Sequence, residues 1–443
     1  MPDARPQPRL FRALVAPFQA FLRTEAKGGI LLLLAALVAL ALANSPWHEL
    51  WHDLWELPLR VGPSGLAVEG TLHFVINDVA MAIFFFVVGL EIKRELVRGE
   101  LRTPSQALLP AIAAVGGTAV PALLYLAIQR GGDGARGWAI PMATDIAFSI
   151  GCLALLGPRV PHGLRVFLTA LAIFDDIAGI LVIALFYGSG IQPLGLVLVV
   201  LAAAFGLVLN RLRVQSAGPY LAAGAALWFA FHSAGLHATL AGVVLGLLVP
   251  AHSRRTPDEV FADLKTALDD AMARGVRPTA DQIASVGRAL ADVSTPLDRF
   301  EYAVHPFVAY GVMPLFALAN SGVHLGSLSL DVLLTPVFLG TAAGLFLGKT
   351  VGIFAFTRAA VASGLARVPS DAPWSQVLGV SAVAGIGFTV ALFIANLAFA
   401  GAPLLLDEAR LGILVGSAVS GTVGVTLLRL GSARAPAPEA AAA

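Results

Sequence analysis

LTALAIFDDIAGILVIALFYG, Leu168 to Gly188, is the stretch on which the reading of this chain turns. It is long enough to cross a bilayer core of about 30 Å. Apart from Tyr187, its only ionisable side chains are two adjacent carboxylates, Asp175 and Asp176. One acid at the centre of a lone membrane helix costs roughly 2.5–3.5 kcal/mol on insertion scales, and intramembrane acids are functional by default. Successive residues of a helix are about 100° apart, so both carboxylates can border one cavity and neither can hide behind the other. Two ionised carboxylates this close repel in a low dielectric. They therefore titrate as a coupled unit, and a small cation competes with protons for them.

The rest of the composition agrees with a membrane setting. Of 443 residues, 57% are hydrophobic and 13% charged, against about 25% charged in a soluble domain. The chain reads as one polytopic helical bundle rather than a string of soluble domains. The net charge of +1 gives no reason to expect a nucleic acid partner, and the single cysteine, Cys152, excludes an internal disulfide. The N-terminal segment 1–27 is basic and partly amphipathic, and lacks the apolar core of a signal peptide. It is expected to be a cytoplasmic lead-in near the membrane surface.

Twelve spans are expected, near 28–44, 72–91, 107–129, 138–157, 163–187, 191–209, 218–234, 236–250, 302–320, 334–357, 376–399 and 409–428. The alternation they impose places 24 of the 29 Lys and Arg residues on one side and only Arg60, Arg130, Arg136 and Arg410 on the other. By the positive-inside rule both termini are cytoplasmic. The twelve-helix domain thus runs over 28–430. Within it, 251–300 is a polar cytoplasmic connector. The outer loop 45–71 contains LPLRVGPSGLAVEG, a hairpin signal around Gly62-Pro63-Ser64-Gly65. Such a ribbon is marginal alone and is expected to find a partner. The Ala/Pro-rich tail 431–443 is expected to be disordered.

Further polar residues interrupt the apolar runs. In WAIPMATDIAFSIG, Trp138 to Gly151, Pro141 disfavours helix at Ile140. Thr144 and Asp145 follow with no charged neighbour. A broken helix lining a protein-enclosed cavity is expected. In VAGIGFTVALFIANLAF, Val383 to Phe399, Gly385 and Gly387 weaken a second helix and Thr389 offers a hydroxyl. These interruptions fall in the middle spans of the triplets 3-4-5 and 10-11-12, a pattern expected of inverted repeats around a central site. Broken helices leave partial charges at their inner ends. Asp145 suits the positive ends. Lys349, in GLFLGKTVGIF, suits the negative ends or a pairing with Asp175 or Asp176. FVINDVAMAIFFFVVGLEIKREL places Asp78 deep in span two, with Glu91, Arg94 and Glu95 at its cytoplasmic end. Glu301 and His305, four apart, mark the cytoplasmic end of span nine. The acids and basic groups together make a candidate titratable mouth. His237, in GLHATLAGVVLG, lies near the outer end of span eight.

Taken together, ATDIAF, ALAIFDDIAGILVIALFY, FFFVVGLEIKREL, HATLAGVVLGLLVP, HPFVAYGVMPLFALANSGV and GIGFTVALFIA resemble the NhaA family of sodium/proton antiporters over nearly the whole chain, from about Lys27 to Leu430. The resemblance implies twelve helices with spans four and eleven crossing as broken helices. It implies ion binding at Asp175 and Asp176, with support from Thr144, Asp145 and Lys349. It implies pH regulation around Glu91, Arg94, Glu95, Glu301 and His305, and a homodimer through the outer hairpin. Some members carry histidine where this chain has Tyr302.

The sequence reading is therefore an all-α inner-membrane antiporter, not an enzyme, with no cofactor. It exports Na+, and Li+ as well, against entering H+ by alternating access, and it sits as a homodimer in the lipid bilayer. Asp78, His237 and Gly387 are further functional candidates. A symporter or channel on a similar scaffold is the alternative. An intramembrane aspartyl protease using Asp145 and Asp175 is remote, because Ala172-Ile173-Phe174 stands where a Gly-x-Gly signature would precede the acid.

Overall fold

The computed structural model describes residues 27–61, 68–188, 190, 192–253, 259–262, 265–266, 269, 294–327, 330–369 and 372–432. Residues 1–26 of the lead-in, the hairpin tip at 62–67, most of the connector and the tail from 433 lie outside them. Among the described residues, seven helices are long and apolar enough to cross a membrane: Leu72–Val97, Pro104–Gln129, His162–Phe186, Pro193–Arg211, Pro296–Asn320, Pro336–Ala362 and Pro403–Gly431. Three further pairs pass the same test as bent units. Lys27–Ala43 turns by 119° into His48–Trp55, so the first span ends at Ala43 and the following helix leaves its axis. The other two, Asp133–Met142 with Ile146–Arg159 (41°) and Trp374–Val383 with Phe388–Ala398 (44°), are the fourth and eleventh spans.

The seventh span is at the short end of what a bilayer core needs, and the helix of the eighth is well below it. Ala217–Ser233 has 17 residues and Leu240–Leu248 only 9, about 13 Å at 1.5 Å per residue. A helix over the whole of 236–250 is therefore not what forms. Gly235 adopts φ +73° and ends the preceding segment. His237 lies in the turn that follows, its carbonyl accepting Leu240 N at 3.1 Å. In the loop ahead of the second span, β1 (Pro58–Val61) pairs antiparallel with β2 (Val68–Thr71), with Arg60 opposite Glu69. Their exposed ion pair, at 3.7 Å, contributes little.

The described residues form two compact units. One comprises the chain up to Met81, Glu100–Tyr187 and the residues from Ala309 on; the other comprises Ala82–Gly99 and Gly188–Val308. Inside the first, the third span (Pro104–Gln129) and the tenth (Pro336–Ala362) meet backbone to backbone. A Cβ on Gly116 would lie 2.4 Å from Gly352 O, and one on Gly352 2.1 Å from Gly116 O. Lipid offers no hydrophobic gain for helix association, so close approach of small residues supplies the packing. The tenth span is not regular: a π-helical segment, Gly344–Gly348, interrupts it just before Lys349. Similar segments lie at Val75–Ala80, which contains Asp78, and at Val308–Val312.

In the second unit, the short helix Leu240–Leu248 crosses residues 82–97 closely, and a Cβ on Gly242 would fall 2.1 Å from Ala82 O. Its open C-terminal carbonyls are taken up by side chains. Lys93 Nζ donates to Leu247 O (2.7 Å) and to Val249 O, and Asn210 Nδ2 donates to Leu248 O (2.6 Å). The helix Pro296–Phe307 opens with a reciprocal cap between Thr295 and Asp298.

Candidate functional site

The site is built where the two broken spans cross. In the fourth span a 3-10 helix, Asp133–Met142, runs through Pro141. The backbone extends at Ala143 (ψ 147°) and Asp145 (ψ 105°) before the helix Ile146–Leu156 begins. The break thus falls at Ala143–Asp145, just after Pro141, as the polar pair Thr144 and Asp145 leads one to expect. The proline ring clashes with the carbonyl four residues back in an α-helix, and the tighter 3-10 turn lets the chain pass it. In the eleventh span the helix Trp374–Val383 ends, and Phe388–Ala398 starts after Gly387. A Cβ on Gly387 would lie 2.6 Å from Leu345 Cδ2 and 3.0 Å from Ala143 O, so only glycine lets the two breaks come this close.

Hydrogen bonds stitch the breaks together. Asp145 N donates to Ile386 O (2.7 Å), and Ser149 Oγ to Val383 O (3.2 Å). Thr144 Oγ1 lies 2.8 Å from Ala384 O. These bonds satisfy carbonyls at the C-terminal end of the first half of span eleven. The Asp145 carboxylate serves two N-terminal ends at once. Oδ1 accepts Phe148 N (3.0 Å); Oδ2 accepts Thr389 N (3.1 Å) and Thr389 Oγ1 (2.5 Å). An anion between two helix N-termini is well placed against both dipoles. Ser417 of span twelve accepts Phe388 N at 3.3 Å and completes the second cap.

Lys349 does not go to the helix ends. It forms an ion pair with Asp175 Oδ2 and donates to Thr144 Oγ1 (2.5 Å). Thr144 Oγ1 in turn lies 2.7 Å from Asp175 Oδ2. The carbonyls that could have drawn the lysine are already held by span four, which leaves Asp175 as its anion. Lys349 and Thr144 are wholly buried, and Asp175 and Asp176 are 3% and 8% exposed. Asp175 Oδ1 is buried with no hydrogen-bond partner. Asp175 and Asp176 share one pocket with Ala139, Met142 and Ala143 of span four, Gly179 and Val182 of span five, and Val390 and Ile394 of span eleven. The expected residues thus divide. Thr144, Asp175 and Lys349 are in mutual contact, Asp176 borders the same pocket, and Asp145 is turned to the half-helices. Ser149 and Ser417 were missed; a lone hydroxyl in an apolar run was the only signal for either.

The remaining candidates stand elsewhere. Asp78 is half-buried in its π-helical segment, and Gly387 caps the half-helix Phe388–Ala398. In the second unit, Arg94 forms an ion pair with Glu301 and a longer bond to Glu95 Oε1 (3.4 Å). Glu91 stands one turn before Glu95, and His305 one turn after Glu301. Tyr302, where the chain departs from the motif, is 86% exposed and has no part in the Arg94–Glu301 pair.

Comparison with known proteins covers all of this. Residues 19–428 match the family described as Na+/H+ antiporter 1. The Na(+)/H(+) antiporter NhaA of Anaeromyxobacter sp. (strain Fw109-5) is 53% identical, over 99% of this chain and 97% of that protein. Na(+)/H(+) antiporter NhaA 1 of Myxococcus xanthus is 52% identical over 96% of each. Among solved structures, the sodium proton antiporter MjNhaP1 from Methanocaldococcus jannaschii at pH 8 aligns over 92% of each chain with a TM-score of 0.47 and 14% identity. With a family match from residue 19 to 428, a range that takes in both interrupted spans and the acid pair, and relatives 52–53% identical over nearly the whole chain, the chain belongs to the NhaA family of Na+/H+ antiporters.

Proposed function

We propose that this protein exchanges Na+, and Li+ as well, for H+ across the bacterial inner membrane, with both termini cytoplasmic and two chains joined through the outer hairpin. The observation that carries the reading is the pocket bordered by Asp175 and Asp176, with Lys349 held on Asp175. A desolvated cation entering that pocket needs negative charge, and it meets two carboxylates of which one is occupied by the lysine. Binding Na+ means parting Asp175 from Lys349, displacing a proton from the acid pair, or both. Protons and Na+ thus compete for one set of charges, and alternating exposure of the pocket turns competition into exchange.

More protons enter than Na+ ions leave in this reading. Each net charge moved draws about 2.3 kcal/mol from every 100 mV of membrane potential. The cluster of Glu91, Arg94, Glu95, Glu301 and His305 sets the pH at which exchange begins. The test is Na+-driven proton flux in vesicles containing the purified protein, with Na+, Li+ and K+ compared. Asp175→Asn and Asp176→Asn should each abolish flux while the protein is still made. Apparent Na+ affinity in the parent should fall as pH drops, by up to about tenfold per unit where one proton is displaced. Near-normal flux in both variants refutes the site.

A further inference from the structure

Away from the acid pair, the first unit holds a second polar assembly. Its hub is Asn320, wholly buried at the end of the helix Met313–Asn320. Asn320 Oδ1 accepts His73 Nε2 (3.0 Å), Asn396 Nδ2 (2.9 Å) and, more distantly, Asn77 Nδ2 (3.4 Å). Its Nδ2 donates to Asn77 Oδ1 and to Phe316 O, both at 2.9 Å. Asn396 Oδ1 accepts Arg410 Nη2 (3.3 Å), and Arg410 Nη1 pairs with Asp407 Oδ1 (3.2 Å). Six side chains from spans two, nine, eleven and twelve are joined. Amide hydrogen bonds alone can join membrane helices, but this layer also takes in the Arg410–Asp407 ion pair, whose desolvation is costly.

Its place in the fold supplies a reason. Val390 and Ile394 line the pocket with Asp175 and Asp176. Asn396 lies on the same half-helix, two residues past Ile394 and about 3 Å further from the break. His73 follows directly on β2, at the hairpin-bearing face. One end of this half-helix is thus held by Asp145 and Ser417, and the other by Asn320 and Arg410.

We propose that the Asn320-centred layer closes the ion path at the hairpin-bearing face, and that Asn396 is the positioning residue that couples this closure to the pocket. The proposal rests on the antiport reading, which supplies the path. Opening to that face requires the bonds of Asn396 to Asn320 and Arg410 to part. A hydrogen-bonded closure exchanges its partners for water nearly one for one. Parting these bonds therefore costs little net free energy, which suits a barrier that must part in every cycle.

The test uses Gly179, which lines the pocket and where an added Cβ meets nothing within 4 Å. Gly179→Cys in a Cys152→Ser background is labelled in intact cells with a membrane-impermeant maleimide. Asn396→Ala and Asn320→Ala each lose more than one bond of the layer and should label at least about two- to tenfold faster than the reference, the range for a single hydrogen bond. Their KM for Na+ presented from the opposite face should rise by a similar factor, because the fraction of protein open to that face falls. Asn396→Asp keeps the acceptor for Arg410 but loses the donor to Asn320, and should fall between them and the reference. If Asn320→Ala fails to assemble, Arg410→Gln at the edge of the layer gives the same comparison. Unchanged labelling and KM in variants that still carry Na+-driven flux overturns the closure. Absence of flux in the parent protein overturns the antiport reading instead.

Discussion

Replacing Asp145 tests the crossing of the broken spans more directly than replacing any residue of the pocket. Its carboxylate caps two half-helices, through Phe148 N on one and Thr389 N and Oγ1 on the other. Each N-cap is worth about 1 kcal/mol, and an anion at a helix N-terminus adds about 0.3–1 kcal/mol. Two of each make Asp145→Ala destabilising by about 3–4 kcal/mol. Asp145→Asn keeps one acceptor oxygen, so one cap survives while the charge at both ends is lost, and about 2–3 kcal/mol is expected. Thermal unfolding of purified protein in detergent should therefore rank the parent above Asp145→Asn and Asp145→Ala last. Na+-driven flux should weaken in the same order, because the half-helix carrying Val390 and Ile394 loses its anchor. Asp145→Ala melting within a degree of the parent would refute the double cap. So would Asp145→Asn melting below Asp145→Ala.

Three further outcomes follow from the contacts. Lys349→Ala leaves Asp175 buried without its cation, a change of about 3–5 kcal/mol for a broken buried pair; added Na+ should recover part of the lost melting temperature, and its failure to do so would separate the lysine from the ion site. Neutralising Glu91, Glu95, Glu301 and His305 one at a time should move the pH profile of flux along its axis with little loss of the maximum, Glu301→Gln most because it releases Arg94; four unmoved profiles would leave these charges only orienting the helices. Deleting Leu57 to Val68 should weaken cross-linked dimer yet spare transport, since Asp175, Asp176 and Lys349 all lie within one chain, and full dimer in the deletion would rule out the hairpin as the interface.

Much of the architecture was legible because apolar length, glycine and proline act locally. The acid pair in an apolar run, Pro141 and the glycines at 385 and 387 each signal their element without knowledge of any neighbour. What could not be read depends on how spans approach one another. Lys349 had Asp175, Asp176 and the helix ends as equal partners until the packing of the tenth span against the third was known. Asp145 was expected at a positive helix end, but that it serves two requires the crossing itself. The short helix Leu240–Leu248 defeats a hydropathy reading, because the apolar residues on either side of it are in turns. Asn320, Asn396 and Arg410 looked like scattered polar residues, and only tertiary contact makes them one assembly.

The meeting of Gly116 and Gly352 also limits how Lys349 can be moved. The side chains of Phe356 and Val120 stand beside the contact, and sliding or turning one helix on the other would bring them against the opposing backbone. Lys349 lies on the same helix as Gly352, three residues before it, so while the contact holds, adjustment of the tenth span's ladder is left to the residues ahead of the lysine. That ladder is already irregular over Gly344–Gly348, immediately ahead of Lys349. A π-helical turn carries one residue more than the regular helix around it. Tightening it would turn the residues before Gly344 by about 100° against the lysine, which the glycine contact keeps in place, so this one turn takes up movement of the rest of the span without displacing the charge.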